Sequence, residues 1–202
     1  LTSLKCGGNN LTSLDVSKNT ALTLLGCIAN KLTSLDLSNN TALTSLRCYG
    51  NNFTSIDVSN NNALTELHCG NSNFDSKLNS LDVSKNTALT SLRCEGNNLS
   101  SLDVSNNIAL TELYCYDNKL NSLDLSKNTA LTNLNCEKNK LNSLDLSKNT
   151  ALTRLNCRFN LLKSLDVSLN TSLKFVGAQG NYINCVKGIP KGCREWGPKK
   201  CD

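Results

Sequence analysis

The chain has 202 residues and a formal net charge of +5, with 39% hydrophobic and only 4% aromatic residues. Residues 185–202 hold five basic and two acidic side chains, which account for three of the five net positive charges. The remaining chain is close to neutral and lacks the continuous basic stripe that nucleic acid would require, so we predict no nucleic acid partner. No stretch approaches the ~18 apolar residues of a membrane span, so we expect no direct membrane insertion.

A 21-residue repeat covers almost the whole chain. Cysteine recurs in steps of 21 residues, with one step of 25, at Cys6, Cys27, Cys48, Cys69, Cys94, Cys115, Cys136 and Cys157. Aspartate follows the same steps at Asp15, Asp36, Asp57, Asp82, Asp103, Asp124, Asp145 and Asp166. The pattern predicts a solenoid of about nine turns over 1–184, an inserted bulge near 71–77, and a C-terminal cap over 185–202. Because Leu1 falls in the middle of a repeat, we expect an N-terminal cap to be missing from this chain.

Residues 110–130 illustrate one repeat. Their first half fits the leucine-rich consensus LxxLxLxxNxL, with Cys115 at the third leucine. Period two sends Leu113 and Cys115 into the core, and it sends Glu112, Tyr114 and their outward neighbours to a concave sheet. The second half is too short for a helix with two turns. We therefore predict a mainly β, right-handed leucine-rich-repeat solenoid with a parallel concave sheet and short extended segments on the convex side.

Two asparagine columns are predicted to close the turns. One contains Asn9, Asn30, Asn51, Asn97, Asn118, Asn139, Asn160 and Asn181, and the other contains Asn19, Asn40, Asn61, Asn86, Asn107, Asn128, Asn149 and Asn170. Inward-turned amides can satisfy backbone groups that the turns leave unpaired, in their own coil and in an adjacent one. We interpret both columns as structural.

The cysteine spacing argues against a metal site, because zinc ligands come in close pairs such as CxxC and no such pair is present. Stacked strands would bring neighbouring cysteines to a separation that a disulfide tolerates, but in-register side chains all point into the core. We therefore predict free, inert thiols in the repeat. Cys185, Cys193 and Cys201 lie beyond it and allow one disulfide with one cysteine left over. We favour Cys185–Cys201, pinning a cap with Trp196, which implies an oxidising, extracytoplasmic setting.

The aspartate column resembles a calcium ladder, since a cation would relieve the repulsion between stacked carboxylates. Serine hydroxyls such as those of Ser122 and Ser126 around Asp124 offer an alternative, together with lysines three residues on, such as Lys127. We expect no metal and no cofactor. The only sequence support for a catalytic site is His68, which lies near Glu66. A Cys-His pair is not expected, because Cys69 should point away from the His68 ring. We therefore predict that the protein is not an enzyme.

The outward concave positions vary from coil to coil, unlike the columns of the scaffold. Tyrosine and arginine, the usual anchors of interfaces, are frequent there. The predicted ligand-binding residues are Arg47, Tyr49, His68, Arg93, Glu95, Tyr114, Tyr116 and Arg158. The alternative interpretation is an ordinary solvated face.

Repeats such as LTSLRCEGNNLSSLDVSNNIA, with cysteine in the leucine ladder and LDVS in the second half, resemble the cysteine-ladder repeats of internalin J-like bacterial proteins. The segment from Cys185 to Cys201 also resembles their C-terminal cap. The resemblance implies a secreted or cell-surface, adhesin-like module that binds a protein, a glycoprotein or a glycan, such as a host surface component, through its concave face. We expect a monomer. A structural spacer without its own ligand is the alternative function.

Overall fold

The computed structural model describes residues 1–71 and 77–201, and these form one sheet of ten parallel strands stacked in chain order. The strands are β1 Ser3–Lys5, β2 Leu24–Gly26, β3 Ser45–Arg47, β4 Glu66–His68, β5 Ser91–Arg93, β6 Glu112–Tyr114, β7 Asn133–Asn135, β8 Arg154–Asn156, β9 Phe175–Gly177 and β10 Arg194–Trp196. This architecture confirms the predicted solenoid. Of the bulge predicted near 71–77, residues 72–76 lie outside the described residues.

The strands pair without any slip of register. Leu25 lies opposite Leu46, and across the insertion Leu67 lies opposite Leu92. Side chains of one column therefore stack on one another along the solenoid axis. Leu113 and Cys115 are both fully buried, as the period-two alternation predicts.

The convex side is extended and is shaped by two tight turns in each coil. The Asn128 amide donates to the Leu125 carbonyl at 3.0 Å, and the Leu131 amide donates to the Asn128 carbonyl at 3.2 Å. Equivalent pairs recur in the neighbouring coils. These turns bring the chain back to the next strand without a helix, as the length of the repeat predicts.

The exposed aspartates accept hydrogen bonds from the serine two residues further along the chain. The Ser126 amide donates to Asp124 Oδ1 at 2.9 Å, whereas the predicted donor Ser122 uses its hydroxyl on Asn121. Hydrogen bonds from the Ser126 backbone and side chain lower the pKa of Asp124, with a smaller contribution from Lys127. The prediction was therefore wrong about Ser122. Within 1–71 and 77–201, no cluster of three or more His, Cys, Asp or Glu residues could hold a metal ion.

The first asparagine column joins adjacent coils through side-chain amides. Asn160 Nδ2 donates to the carbonyl of Cys157 in its own coil at 3.1 Å and to that of Cys136 in the preceding coil at 3.0 Å. Its Oδ1 accepts the Leu141 amide at 3.0 Å. One buried side chain thus ties together three backbone groups of two coils, which confirms the predicted role.

The second asparagine column also joins adjacent coils, at the other end of the coil. Asn149 Nδ2 donates to the carbonyls of Leu125 and Asn128, both in the preceding coil, at 3.0 and 2.9 Å. Asn149 is fully buried, as are its neighbours Asn128 and Asn107. The coils are therefore fastened to one another on both sides of the leucine core.

A third column has a backbone requirement that the sequence analysis missed. The residue before each asparagine of the first column adopts a left-handed conformation, with φ of 69° at Gly96 and 55° at Asp117. Glycine occupies several of these positions, but Lys138 and Phe159 take the same conformation with φ of 53°. Such residues cost about 1–2 kcal/mol in this region, which the buried asparagine bonds must offset.

The C-terminal tail differs from the prediction that it leaves the repeat. Its strand β10 pairs in parallel with β9, so that Trp196 lies opposite Gly177. Cys185 and Cys201 form a disulfide with a Cα–Cα distance of 5.0 Å, which is the pairing favoured from the sequence. Lys187 also donates to Asp166 at 2.9 Å. The tail thus covers the last coil and extends the concave sheet by one strand.

Replacing a first-column asparagine should destabilise the whole solenoid. Asn160→Ala leaves the Cys136 and Cys157 carbonyls and the Leu141 amide unpaired, so we expect a loss of about 2–4 kcal/mol in the free energy of unfolding. Asn142→Ala is the matched control, because Asn142 is exposed and bonded only to the adjacent serine. Urea unfolding measures both. Equal midpoints for the two variants would contradict the structural role of the column.

The ladder thiols should be chemically silent in the folded protein. Burial raises the pKa of Cys27, Cys69 and Cys115 to about 12, and burial also raises the pKa of Cys48 well above its usual value. Because the thiolate is the reactive form, a thiol reagent near pH 8 should modify the partly exposed cysteines of the native protein and leave the buried ones intact. All nine free cysteines should react in denaturant. Rapid native labelling of Cys115, detected by mass spectrometry, would contradict this.

Candidate functional site

The concave face carries the variable side chains, and its middle strands form a compact group that we call the central cluster. The cluster consists of Arg47, Tyr49, His68, Arg93, Glu95, Tyr114 and Tyr116. These residues stand on β3–β6 or two positions after the strand's last residue, where the alternation turns them outward. Their backbone is fixed by pairing on both sides of every strand.

His68 is held between two other members of the central cluster. Its ring stacks on Tyr49 with a centroid distance of 4.1 Å, and its Nε2 lies 3.0 Å from Glu95 Oε1. The side chains of His68 and Glu95 are only 16% and 17% exposed, so the pair is largely withdrawn from water. Burial raises the pKa of Tyr116, and the neighbouring Glu95 raises it further. The middle of the central cluster is therefore a half-buried group of aromatic rings around one carboxylate.

The arginines of the central cluster are positioned by glutamates on the following strand. Arg47 binds Glu66 with two hydrogen bonds, of 2.9 and 3.1 Å, and Glu66 also accepts the Ser45 hydroxyl at 2.8 Å. Arg93 lies 3.5 Å from Glu112, and its guanidinium carbon is 4.5 Å from the centre of the Tyr114 ring. The guanidinium groups are thus held in place, yet they remain about half exposed to solvent.

Arg158 does not join the central cluster. It belongs to a second group near the C-terminal end, where Glu137 accepts bonds from the Arg158 guanidinium at 2.9 Å and from the Asn156 amide at 2.6 Å. This group borders a groove of about 890 Å³, which we call the terminal groove. Its lining includes Tyr114, Asn133, Asn135, Arg154, Asn156, Arg158, Lys174, Phe175, Arg194 and Trp196.

The aromatic and basic residues of the face were therefore predictable from the sequence pattern, whereas their glutamate partners were not predicted. Glu66 and Glu112 each follow an arginine by 19 residues, which in a 21-residue repeat places them on the adjacent strand. That offset could have identified both pairs. The aromatic role of Trp196 on the concave face does not follow from the sequence pattern, because the tail departs from the repeat spacing.

Solved structures of other proteins share this architecture. No family model and no curated protein sequence matches the chain. Among solved structures, the functional domain of InlJ from Listeria monocytogenes, which includes a cysteine ladder, is 40% identical with a TM-score of 0.93; the match covers 98% of this chain and 44% of that chain. The chain therefore spans less than half of the InlJ chain.

Two further structures share the fold at lower identity. The internalin InlF from Listeria monocytogenes is 23% identical with a TM-score of 0.84, over 91% of this chain and 56% of that one. The leucine-rich effector YopM from Yersinia pestis is 21% identical with a TM-score of 0.79, over 92% and 51%. At these identities the likeness concerns the fold alone.

The in-register leucine and cysteine columns, the asparagine ladders and the parallel concave sheet define a leucine-rich repeat domain with a cysteine ladder. The chain is a cysteine-ladder leucine-rich repeat protein similar to the functional domain of InlJ. Within this group it is internalin J-like, as its 21-residue repeats predict.

In the part of the chain that the structure describes, no helix is both long and apolar enough to cross a membrane.

Proposed function

We propose that the chain is an extracellular binding module whose concave face takes a protein or glycan ligand through the central cluster. The observation that carries this proposal is the arrangement of Tyr49, His68, Glu95, Arg93 and Tyr114 as contacting pairs on strands that are paired on both edges. The protein would act by binding, without catalysing a reaction on its ligand.

Binding to the central cluster would carry a low cost in conformational entropy. Tyrosine and arginine bury large surfaces and supply directional hydrogen bonds, which is why they dominate the energetics of interfaces. Here Glu66 already fixes Arg47, and Tyr114 already packs against Arg93. A ligand would therefore meet side chains whose rotamers are largely chosen, so that less conformational entropy is lost on binding.

Two observations support an extracellular site of action. The Cys185–Cys201 disulfide is the kind of bond that persists in an oxidising compartment. The buried ladder thiols fit the same setting, because folding keeps them away from oxidants. By analogy with the internalin J-like repeats, we propose secretion or display on the bacterial surface and a host glycoprotein as the ligand.

A spacer that holds other domains apart is the second candidate function. It is favoured by the internal ion pairs, since Arg47, Arg93 and Arg158 each already have a glutamate partner in the molecule. A face whose charges are compensated internally has a weaker electrostatic attraction for a partner. The two functions differ in whether substitutions in the central cluster have any effect on binding.

Binding of the purified chain to an array of glycans and host glycoproteins tests the proposal. We expect Tyr49→Ala and Arg93→Ala each to weaken the signal about tenfold or more, as expected for the loss of an interface anchor. Tyr182→Ala and Lys163→Ala are matched controls on exposed positions outside the concave face and should bind like wild type. An array without signal from a folded sample, or cluster variants indistinguishable from the controls, would favour the spacer.

A further inference from the structure

The terminal groove combines three kinds of side chain that the central cluster does not bring together. Strands β7–β10 place positive charges, open aromatic rings and amide groups around one depression of about 890 Å³. The groove rests on the last repeats and on the tail, which adds Arg194 and Trp196 to its wall. No residue of the central cluster except Tyr114 lines it.

The positive charges of the terminal groove exceed its negative ones. Arg154, Lys174 and Arg194 line the groove, and none of them forms an ion pair with a carboxylate of the described residues. This differs from the central cluster, where glutamates neutralise the arginines. Glu137 binds only Arg158 among the groove's cations, so a net positive potential remains for an anionic ligand.

The aromatic rings of the terminal groove form an exposed corner. Trp196 is 54% exposed and meets Phe175 edge to face, with ring centres 5.4 Å apart. Arg154 lies 5.6 Å from the Phe175 ring, and Arg158 lies 5.1 Å from the Trp196 ring. Guanidinium groups are thus held beside flat apolar surfaces, which is a geometry that can take an anionic group and a hydrophobic face of one ligand.

A glycine gives the floor of the groove its shape. Gly177 lies between Asn156 and Trp196 in the sheet, and a Cβ there would come within 3.0 Å of Asn156 Oδ1 and 3.2 Å of Arg158 Cγ. The missing side chain lets Arg158 cross the floor toward Trp196. Glu137 fixes that position through its bonds to Arg158 and Asn156.

We propose that the terminal groove binds an acidic glycan, with a carboxylate or sulfate group near Arg154 and a sugar ring against Phe175 and Trp196. The apolar C–H face of a sugar ring packs on aromatic rings, its hydroxyls pair with amides such as Asn135, and guanidinium groups bind carboxylate or sulfate through charge-assisted hydrogen bonds. An extended peptide cannot add as a further strand at β7, β8 or β9, because both edges of each are already paired.

This inference rests on the proposed function in placing the ligand on the concave face, but it concerns different residues. The two can therefore fail separately. Binding lost in Tyr49→Ala and Arg93→Ala but kept in groove variants would preserve the proposed function and overturn the inference. Acidic glycan binding that is lost only in groove variants would preserve the inference and would contradict a role of the central cluster in binding.

Trp196 provides a direct readout, because it is the single tryptophan of the chain. We would titrate the folded protein with a chondroitin sulfate oligosaccharide and with sialyllactose, to separate sulfate from carboxylate as the anionic group, and with lactose as the uncharged control. A saturable fluorescence change is expected with at least one acidic glycan and only a weak one with lactose. Added salt should weaken the binding of the acidic glycan, because salt screens exposed charges.

Variants test whether the named residues make the contact. Arg154→Gln should lower the affinity for the acidic glycan about tenfold, as expected when one charge-assisted hydrogen bond of roughly 1.5 kcal/mol is lost. Trp196→Ala, followed by calorimetry, should lose affinity to a similar extent. Lys163→Gln removes the same charge from an exposed position outside the groove and should change nothing. Circular dichroism would check that each variant is folded.

Four results would overturn the inference. One is the absence of any fluorescence or calorimetric response to both acidic glycans. A second is equal affinity for lactose. A third is an Arg154→Gln variant that binds like Lys163→Gln. The fourth is tighter binding of an acidic peptide or of single-stranded DNA, which also stacks on aromatic rings, since either would assign the groove to a different class of ligand.

Discussion

The buried asparagine amides are the interactions on which the rest of the structure depends. Each coil has too few residues for a helix, so its turns leave backbone groups that no secondary structure satisfies. Asn160 satisfies groups of its own and the preceding coil at once, and Asn149 bonds to two carbonyls of the preceding coil at the opposite end of the core. Because one amide must reach two coils, neighbouring repeats are held at a fixed distance and in a fixed register. The leucine and cysteine columns then pack against their own copies.

Register at the core has a consequence for the surface. Since every strand begins at the same height, an outward side chain reaches side chains at set positions of the next coil, including the diagonal neighbour 19 residues on. Tyr49 can stack on His68, and Arg47 can reach Glu66, only because the strands do not slip. The scaffold thus allows the concave face to vary without cost to the core. This separation gives the central cluster and the terminal groove different chemistry on one sheet.

The sequence was sufficient to predict the fold because the same pattern recurs in every coil and supports each inference several times. The alternation at Leu113 and Cys115 and the asparagine columns all follow from period and hydrogen-bonding capacity. The pairing of Arg93 with Glu112 depends on rotamers as well as on register, and it was not predicted. Trp196 was placed in a cap rather than on the concave face, because β10 follows β9 by 19 residues and the repeat offers no guide there. Which ligand the face takes is a further step, since the scaffold columns carry no information about it.

Hydrogen exchange of the backbone amides measured by NMR tests the central claim, that the asparagine ladders hold the coils as one rigid unit. The amides of Leu32, Leu99 and Leu141 each donate to a ladder asparagine of the following coil. We expect all three to exchange only through global unfolding, with protection that matches the free energy of unfolding. Exchange at the rate of an unfolded chain at any of them would show that the coils open separately, and it would contradict a rigid concave face.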